Sequence, residues 1–165
     1  MKRMLIVAVI ATLTLASSIL TLAQSKTDFS GRWRYNQQLS DKATSGNSPT
    51  IFFPEQLFIH QTAAEVNVEA RNYRQDPVMF VYKFDGSETI SQGESGVTAS
   101  VKAAWDGAKL VVTSKRSFSS PAGEITIVWK EVYSVAGDTL TVEKTETTTG
   151  AVTETLKAIY KKDAS

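Results

Sequence analysis

Between Val97 and Val135 the chain alternates apolar and polar residues around short turn signals, and this pattern restricts it to antiparallel strands. Val101, Ala103 and Trp105 alternate with Lys102 and Ala104, and Asp106-Gly107 then turns the chain into Lys109-Leu110-Val111-Val112-Thr113. A two-residue and a four-residue loop both place Leu110 and Val112 on the face of Val101, Ala103 and Trp105, so the hairpin has one apolar face. Ser119-Ser120-Pro121-Ala122-Gly123 supplies the next turn, after which Ile125, Ile127, Trp129, Tyr133 and Val135 continue the alternation.

The flanking segments repeat the theme. Phe29, Gly31, Trp33 and Tyr35 share one face of a first strand, and the glycine lets another group approach closely. Strands are expected at 55–61, 65–71, 77–84 and, more briefly, 88–92. Asp85-Gly86, Ala136-Gly137-Asp138 and Thr149-Gly150 are turns, the last two leading into strands at 139–148 and 152–160. The polar stretch from Asn36 to Pro54 reads as a long loop with one helical turn after Ser40, where the pair Phe52-Phe53 either caps a cavity or packs plainly. No full-length amphipathic helix is evident. The fold expected is all-β: an antiparallel up-and-down meander of about 8–10 strands, closed into a barrel because closure removes the two exposed edges.

The N-terminus carries Lys2 and Arg3, an apolar run to about Ala16, and Thr21-Leu22-Ala23 before Gln24. This is the pattern of an export signal over residues 1–23, leaving 24–165 as one domain. An uncleaved membrane anchor is the rival reading, weakened by the Thr and Ser residues that dilute the run. Without Lys2 and Arg3 the chain holds 16 basic residues against 17 acidic ones. That balance speaks against a nucleic-acid or anionic-membrane surface. With no Cys there are no disulfides, so the fold rests on its apolar core.

Phe29-x-Gly31-x-Trp33 resembles the Gly-x-Trp opening of the calycins, the group of lipocalins and fatty-acid-binding proteins. Trp105-Asp106-Gly107, the repeated strand–turn–strand units and the ending Ala158-Ile159-Tyr160-Lys161-Lys162 resemble the second half of fatty-acid-binding proteins. The chain is also similar to small exported bacterial proteins that begin Asp-Phe-Ser-Gly-x-Trp and have no assigned activity. The resemblance implies a lipocalin-like barrel holding an apolar molecule, with an Arg of the second half and an Arg-x-Tyr near the C-terminus gripping its carboxylate. Several positions depart from that pattern. Arg116 lies two residues farther from Trp105, Ala158 stands where the Arg before Tyr160 belongs, the 36–54 loop lacks a helical-lid pattern, and no closing Arg follows the last strand.

Arg116 falls on the face of Leu110, Val112 and Phe118. Pointing inward, its guanidinium needs a carboxylate from Glu131 or from a ligand; a β-bulge would turn it out into solvent. Glu131 lies in the row of Ile127, Trp129 and Tyr133, either as an inward carboxylate with a raised pKa or, in a shifted register with Val132 inward, as a solvated charge. Trp105, Arg116, Trp129, Glu131, Tyr133 and Tyr160 are therefore the candidate ligand-binding residues, with Trp33 also lining the interior. Glu143 and Glu146 read as outward or strand-end charges. His60 is a lone strand histidine, so neither a metal site nor a Ser-His-Asp arrangement is expected. Glu131 acting as a base has no evident second catalytic group, and no enzyme, metal or cofactor is expected. The expected function is an exported, monomeric binding protein for a small apolar or amphipathic ligand, with no nucleic-acid partner and no membrane insertion after signal cleavage. The alternative is a filled barrel that acts through its loops as a structural or protein-interaction module.

Overall fold

The computed structural model describes residues 26–42, 53–92, 98–121, 123–148 and 154–163. The expected export signal, Phe52 and the helical turn after Ser40 lie outside them. The described chain forms ten strands: β1 Gly31–Tyr35, β2 Gln56–Gln61, β3 Glu65–Arg71, β4 Val78–Lys83, β5 Thr89–Gln92, β6 Thr98–Asp106, β7 Lys109–Ser120, β8 Gly123–Ala136, β9 Thr139–Thr148 and β10 Glu154–Lys162. All pair antiparallel in one sheet of order β4-β3-β2-β1-β10-β9-β8-β7-β6-β5. Among the described residues the ladders of two meanders, β1 to β4 and β5 to β10, are thus joined only where the first strand pairs with the last, Tyr35 opposite Tyr160. The ten-stranded all-β meander is the expected architecture. The sheet is curled, and its hydrogen-bonded ladder ends at β4 and β5, which follow each other in the chain without pairing.

The turn chemistry fixes the register. Asp106 pairs with Lys109 and Ala136 with Thr139, so each loop has two residues. In both, the first loop residue is a glycine at φ 61°, a conformation that glycine adopts without a steric penalty. From these turns β7–β8 and β8–β9 run without a slip, Leu110 facing Tyr133 at one end and Ser120 facing Gly123 at the other. No bulge interrupts β7 or β8, so the inner face carries every second residue along their length.

The buried face follows that period: Leu57 and Ile59, Val66, Val68 and Ala70, Leu110 and Val112, Leu140 and Val142, Ala158 and Tyr160. One end is plugged by the segment ahead of β1. Thr27 Oγ1 donates to the Ala108 carbonyl at 2.7 Å, Phe29 stacks on Trp105 with centroids 5.8 Å apart, and Trp33 Nε1 donates to the Phe29 carbonyl at 2.9 Å. The sequence reading found no Arg to close the barrel after its last strand; a lysine is what sits there. Lys162 places its ammonium 5.3 Å from the Trp33 ring centroid, and its side chain passes so close to Gly31 that a Cβ there would meet Lys162 Cε at 2.7 Å. Gly31, at φ +144°, is required by its backbone, and the flexible end of Lys162 would also have to shift to make room for a Cβ. Beyond β1, Ser40 and Asp41 tie the chain to β10: Ser40 Oγ accepts from the Ile159 N–H at 2.9 Å and Asp41 Oδ2 from the Lys157 N–H at 2.8 Å.

Candidate functional site

The curl borders a half-open cavity of about 740 Å³. Its apolar wall is drawn from β2, β3, β4 and β6, including Leu57, Val68, Phe80, Tyr82 and Val101; its polar wall comes from β7, β8 and β9. The unbroken register makes that wall. Ser114 lies opposite Trp129 and Trp129 opposite Glu146; Val112 lies opposite Glu131 and Glu131 opposite Lys144. Arg116, Trp129, Glu131, Tyr133 and Tyr160 all line the cavity, so five of the six candidate residues converge. Trp105 does not. It lies on the expected face but at the plugged end, between Phe29 and Phe84, with Lys26 5.6 Å from its ring centroid. Trp33 is likewise committed to that end.

The register puts both Arg116 and Glu131 on the inner face without a bulge, but Arg116 is exposed whereas Glu131 is mostly withdrawn from water, and the two do not pair. Arg116 faces Ile127 across the ladder, well along the strand from Glu131. Glu131 Oε1 instead binds the Lys144 ammonium at 2.8 Å, and its Oε2 accepts the Tyr133 hydroxyl at 2.6 Å. Burial and the neighbouring carboxylate push the Tyr133 pKa well up, which keeps the phenol protonated as a donor. Tyr82 and Tyr160 are pushed up by burial as well, again with a contribution from Glu131. The Tyr160 hydroxyl donates to the Pro54 carbonyl at 3.0 Å, so its ring lines the cavity while its polar end is already engaged.

Two members of the site were not legible. Lys144 was unassigned, and Glu146, expected as an outward or strand-end charge, is only 7% exposed. It accepts the Trp129 indole N–H at 2.7 Å. The register corrects that expectation, because Glu146 continues the inner row of Leu140 and Val142. The signal was that same-parity row, Leu140, Val142, Lys144, Glu146, whose second half is polar. The Trp129 ring in turn has the Lys144 ammonium 5.8 Å and the Arg116 guanidinium carbon 5.7 Å from its centroid. Lys144 is neutralised by Glu131. Among the described residues neither Arg116 nor Lys115, which also lines the cavity, makes an ion pair, and both are exposed.

No family model and no curated protein matches the chain. Among solved structures it is similar to secretory abundant heat soluble protein 4 from Ramazzottius varieornatus, at 22% identity over 66% of this chain and 69% of that one, with a TM-score of 0.45. That likeness is too shallow to transfer a role. What the arrangement can do chemically follows from its own groups: an apolar enclosure, a cation held against an indole, and a self-satisfied Glu–Lys–Tyr cluster beside it.

Proposed function

We propose that this protein is an exported carrier of a small amphipathic molecule bearing one acidic group, held tail-in-wall and acid-on-Arg116, as the lipocalin-like resemblance implies. The observation that carries this reading is the exposed Arg116 guanidinium, with Lys115 beside it, on the wall of a largely apolar cavity without a protein carboxylate in an ion pair with either. A cation so placed attracts an anionic group, with water screening part of the attraction, and the volume lies within the range of small-molecule sites. An enclosure of that size supports a carrier over a barrel filled by its own side chains. With Glu131 and Tyr133 already bonded to partners, the site offers binding groups and no free acid–base pair, which favours a carrier over an enzyme.

The test is calorimetric titration with dodecanoate and with dodecanol. The wild-type protein should bind both and prefer the acid. Arg116→Ala should weaken dodecanoate by about 2- to 5-fold, the range for a solvent-exposed ion pair, and leave dodecanol unchanged. Equal losses for the two would remove Arg116 as the anchor. A wild-type protein that binds neither, and carries no small molecule in native mass spectra when taken from its own source, would favour the loop-mediated interaction module.

A further inference from the structure

Glu146 breaks two rules of sheet construction. It is 7% exposed on an inner row that begins with Leu140 and Val142, and among the described residues no basic side chain forms an ion pair with it. Across the ladder on β10 it faces a second carboxylate, Glu154. Burying a charge without a countercharge and setting like charges opposite each other both cost stability. Departures of this kind gather at functional sites. What the carboxylate holds is the half-buried Trp129: its Oε2 accepts the indole Nε1–H at 2.7 Å, while Thr148 Oγ1 donates to Oε1 at 3.5 Å. A short hydrogen bond to a charged acceptor fixes the ring's orientation on a wall where one side lacks packing.

We infer that Glu146 is a positioning residue: by holding the N–H edge of Trp129 it sets where Arg116 presents its guanidinium, and so gives the carrier its preference for an acid. This rests on the carrier reading above. Two cations lie near the ring, Lys144 at 5.8 Å and Arg116 at 5.7 Å from its centroid. Lys144 has a second tether in its 2.8 Å ion pair with Glu131. Arg116 has no ion pair, so the indole is the partner that confines a long, exposed side chain. Donating to a carboxylate also pushes electron density onto the ring, which strengthens its pull on a cation. This role runs against plain electrostatics. By charge alone, a carboxylate at an anion site repels the ligand and its removal tightens binding; as a positioning residue, its removal weakens binding.

The test titrates dodecanoate and dodecanol into Glu146→Leu and Glu146→Gln proteins, near-UV circular dichroism confirming the fold. Glu146→Leu should weaken dodecanoate by about 2- to 5-fold, the range for the exposed ion pair that Arg116 makes with the acid, and leave dodecanol unchanged. Glu146→Gln keeps an oxygen for the indole N–H and should retain the preference for the acid. Trp129→Phe, which keeps a ring but no N–H, should lose it as Glu146→Leu does. Adding Arg116→Ala to Glu146→Leu should cost nothing further, because both act on one contact. The ligand-free protein supplies a separate readout in proton–carbon correlation NMR spectra. There the Arg116 Cδ protons, assigned by their loss in Arg116→Ala, should give up their ring-current shift in Glu146→Leu and keep it in Glu146→Gln. Tighter dodecanoate binding by Glu146→Leu would mean plain repulsion, and equal weakening of acid and alcohol would mean lost packing; either overturns the positioning role and leaves the carrier reading intact. An Arg116 signal that Glu146→Leu does not move overturns it as well. Wild-type protein that binds neither ligand would sink the carrier reading and the acid preference with it, while a moved signal would still show Glu146 positioning Arg116.

Discussion

The Glu131–Lys144 pair offers a quantitative test of how the inner wall is held. At 2.8 Å, with the effective dielectric of about 20 that suits protein sites, the attraction is about 6 kcal/mol. Both side chains are mostly withdrawn from water, 16% and 18% exposed, so desolvation offsets most of that gain. The net worth of the pair is thus small, but stranding one member is not. Lys144→Met leaves Glu131 with only the Tyr133 hydroxyl as a partner, and Glu131→Gln leaves the Lys144 ammonium facing the Trp129 ring. Each single substitution should cost about 2–3 kcal/mol, somewhat under the loss for a fully buried pair. The double substitution should cost little more than one single, giving a coupling of about 2 kcal/mol. For a domain of this size each single should lower the midpoint of thermal unfolding by about 6–12 °C. Melts of the four proteins by far-UV circular dichroism, backed by urea titrations, complete the cycle. Additivity within about 0.5 kcal/mol would mean that solvent screens the pair as it does a surface ion pair, and the account of the wall would be wrong.

Two further outcomes follow from the same geometry. Gly31→Ala should destabilise by about 1–3 kcal/mol in urea titrations, because alanine at φ +144° is strained whatever the space around it. Most of that loss should persist in a Lys162→Ala background, since removing the flexible lysine stem relieves only the 2.7 Å clash; full rescue would show that the clash, not the backbone, demands glycine. The alkaline limb of stability is set by Tyr82, Tyr133 and Tyr160, whose pKa values are all raised by burial above the ordinary 10.0. Their stability contribution is complete below that value and lost above it, because the unfolded chain then releases protons that the folded chain retains. Stability should therefore fall above pH 10, with a limiting slope of about 4 kcal/mol per pH unit for three groups. Absorbance at 295 nm and near-UV circular dichroism should change together; smooth ionisation of these tyrosines with the dichroism intact would contradict their burial.

Strand identity was legible because it is a local property. Val101, Ala103, Trp105, Leu110 and Val112 declare one face within a dozen residues, and the glycines of the two-residue loops carry the turns. The parity of Glu131 was not local. Val132 fitted the inner face equally well, and what decides between them is simultaneous pairing of β8 with β7 and β9, Val112 on one side and Lys144 on the other. Pairing also explains why Arg116 and Glu131, sharing a face, do not meet: the ladder offers each residue the one opposite, and opposite Glu131 on β9 stands a lysine whose row had been followed only as far as its apolar half.

Height along the barrel was the second thing alternation could not supply. Trp105 and Trp129 are both inward by parity, yet one is stacked under Phe29 at the plugged end and the other stands at the cavity wall beside Arg116. The difference comes from the chain ahead of β1, which folds across one end and holds the β6–β7 turn through Thr27 and Ala108. Closure was the third. Alternation demands that a meander hide its edges but does not say how. Among the described residues β1 and β10 supply the only long-range strand pairing, reinforced by Lys162 across Gly31 and Trp33, while β4 and β5 do not pair with each other. The sheet is thus locked where its first and last strands meet, while β4 and β5 stay unpaired with each other and β4 packs against β6 instead.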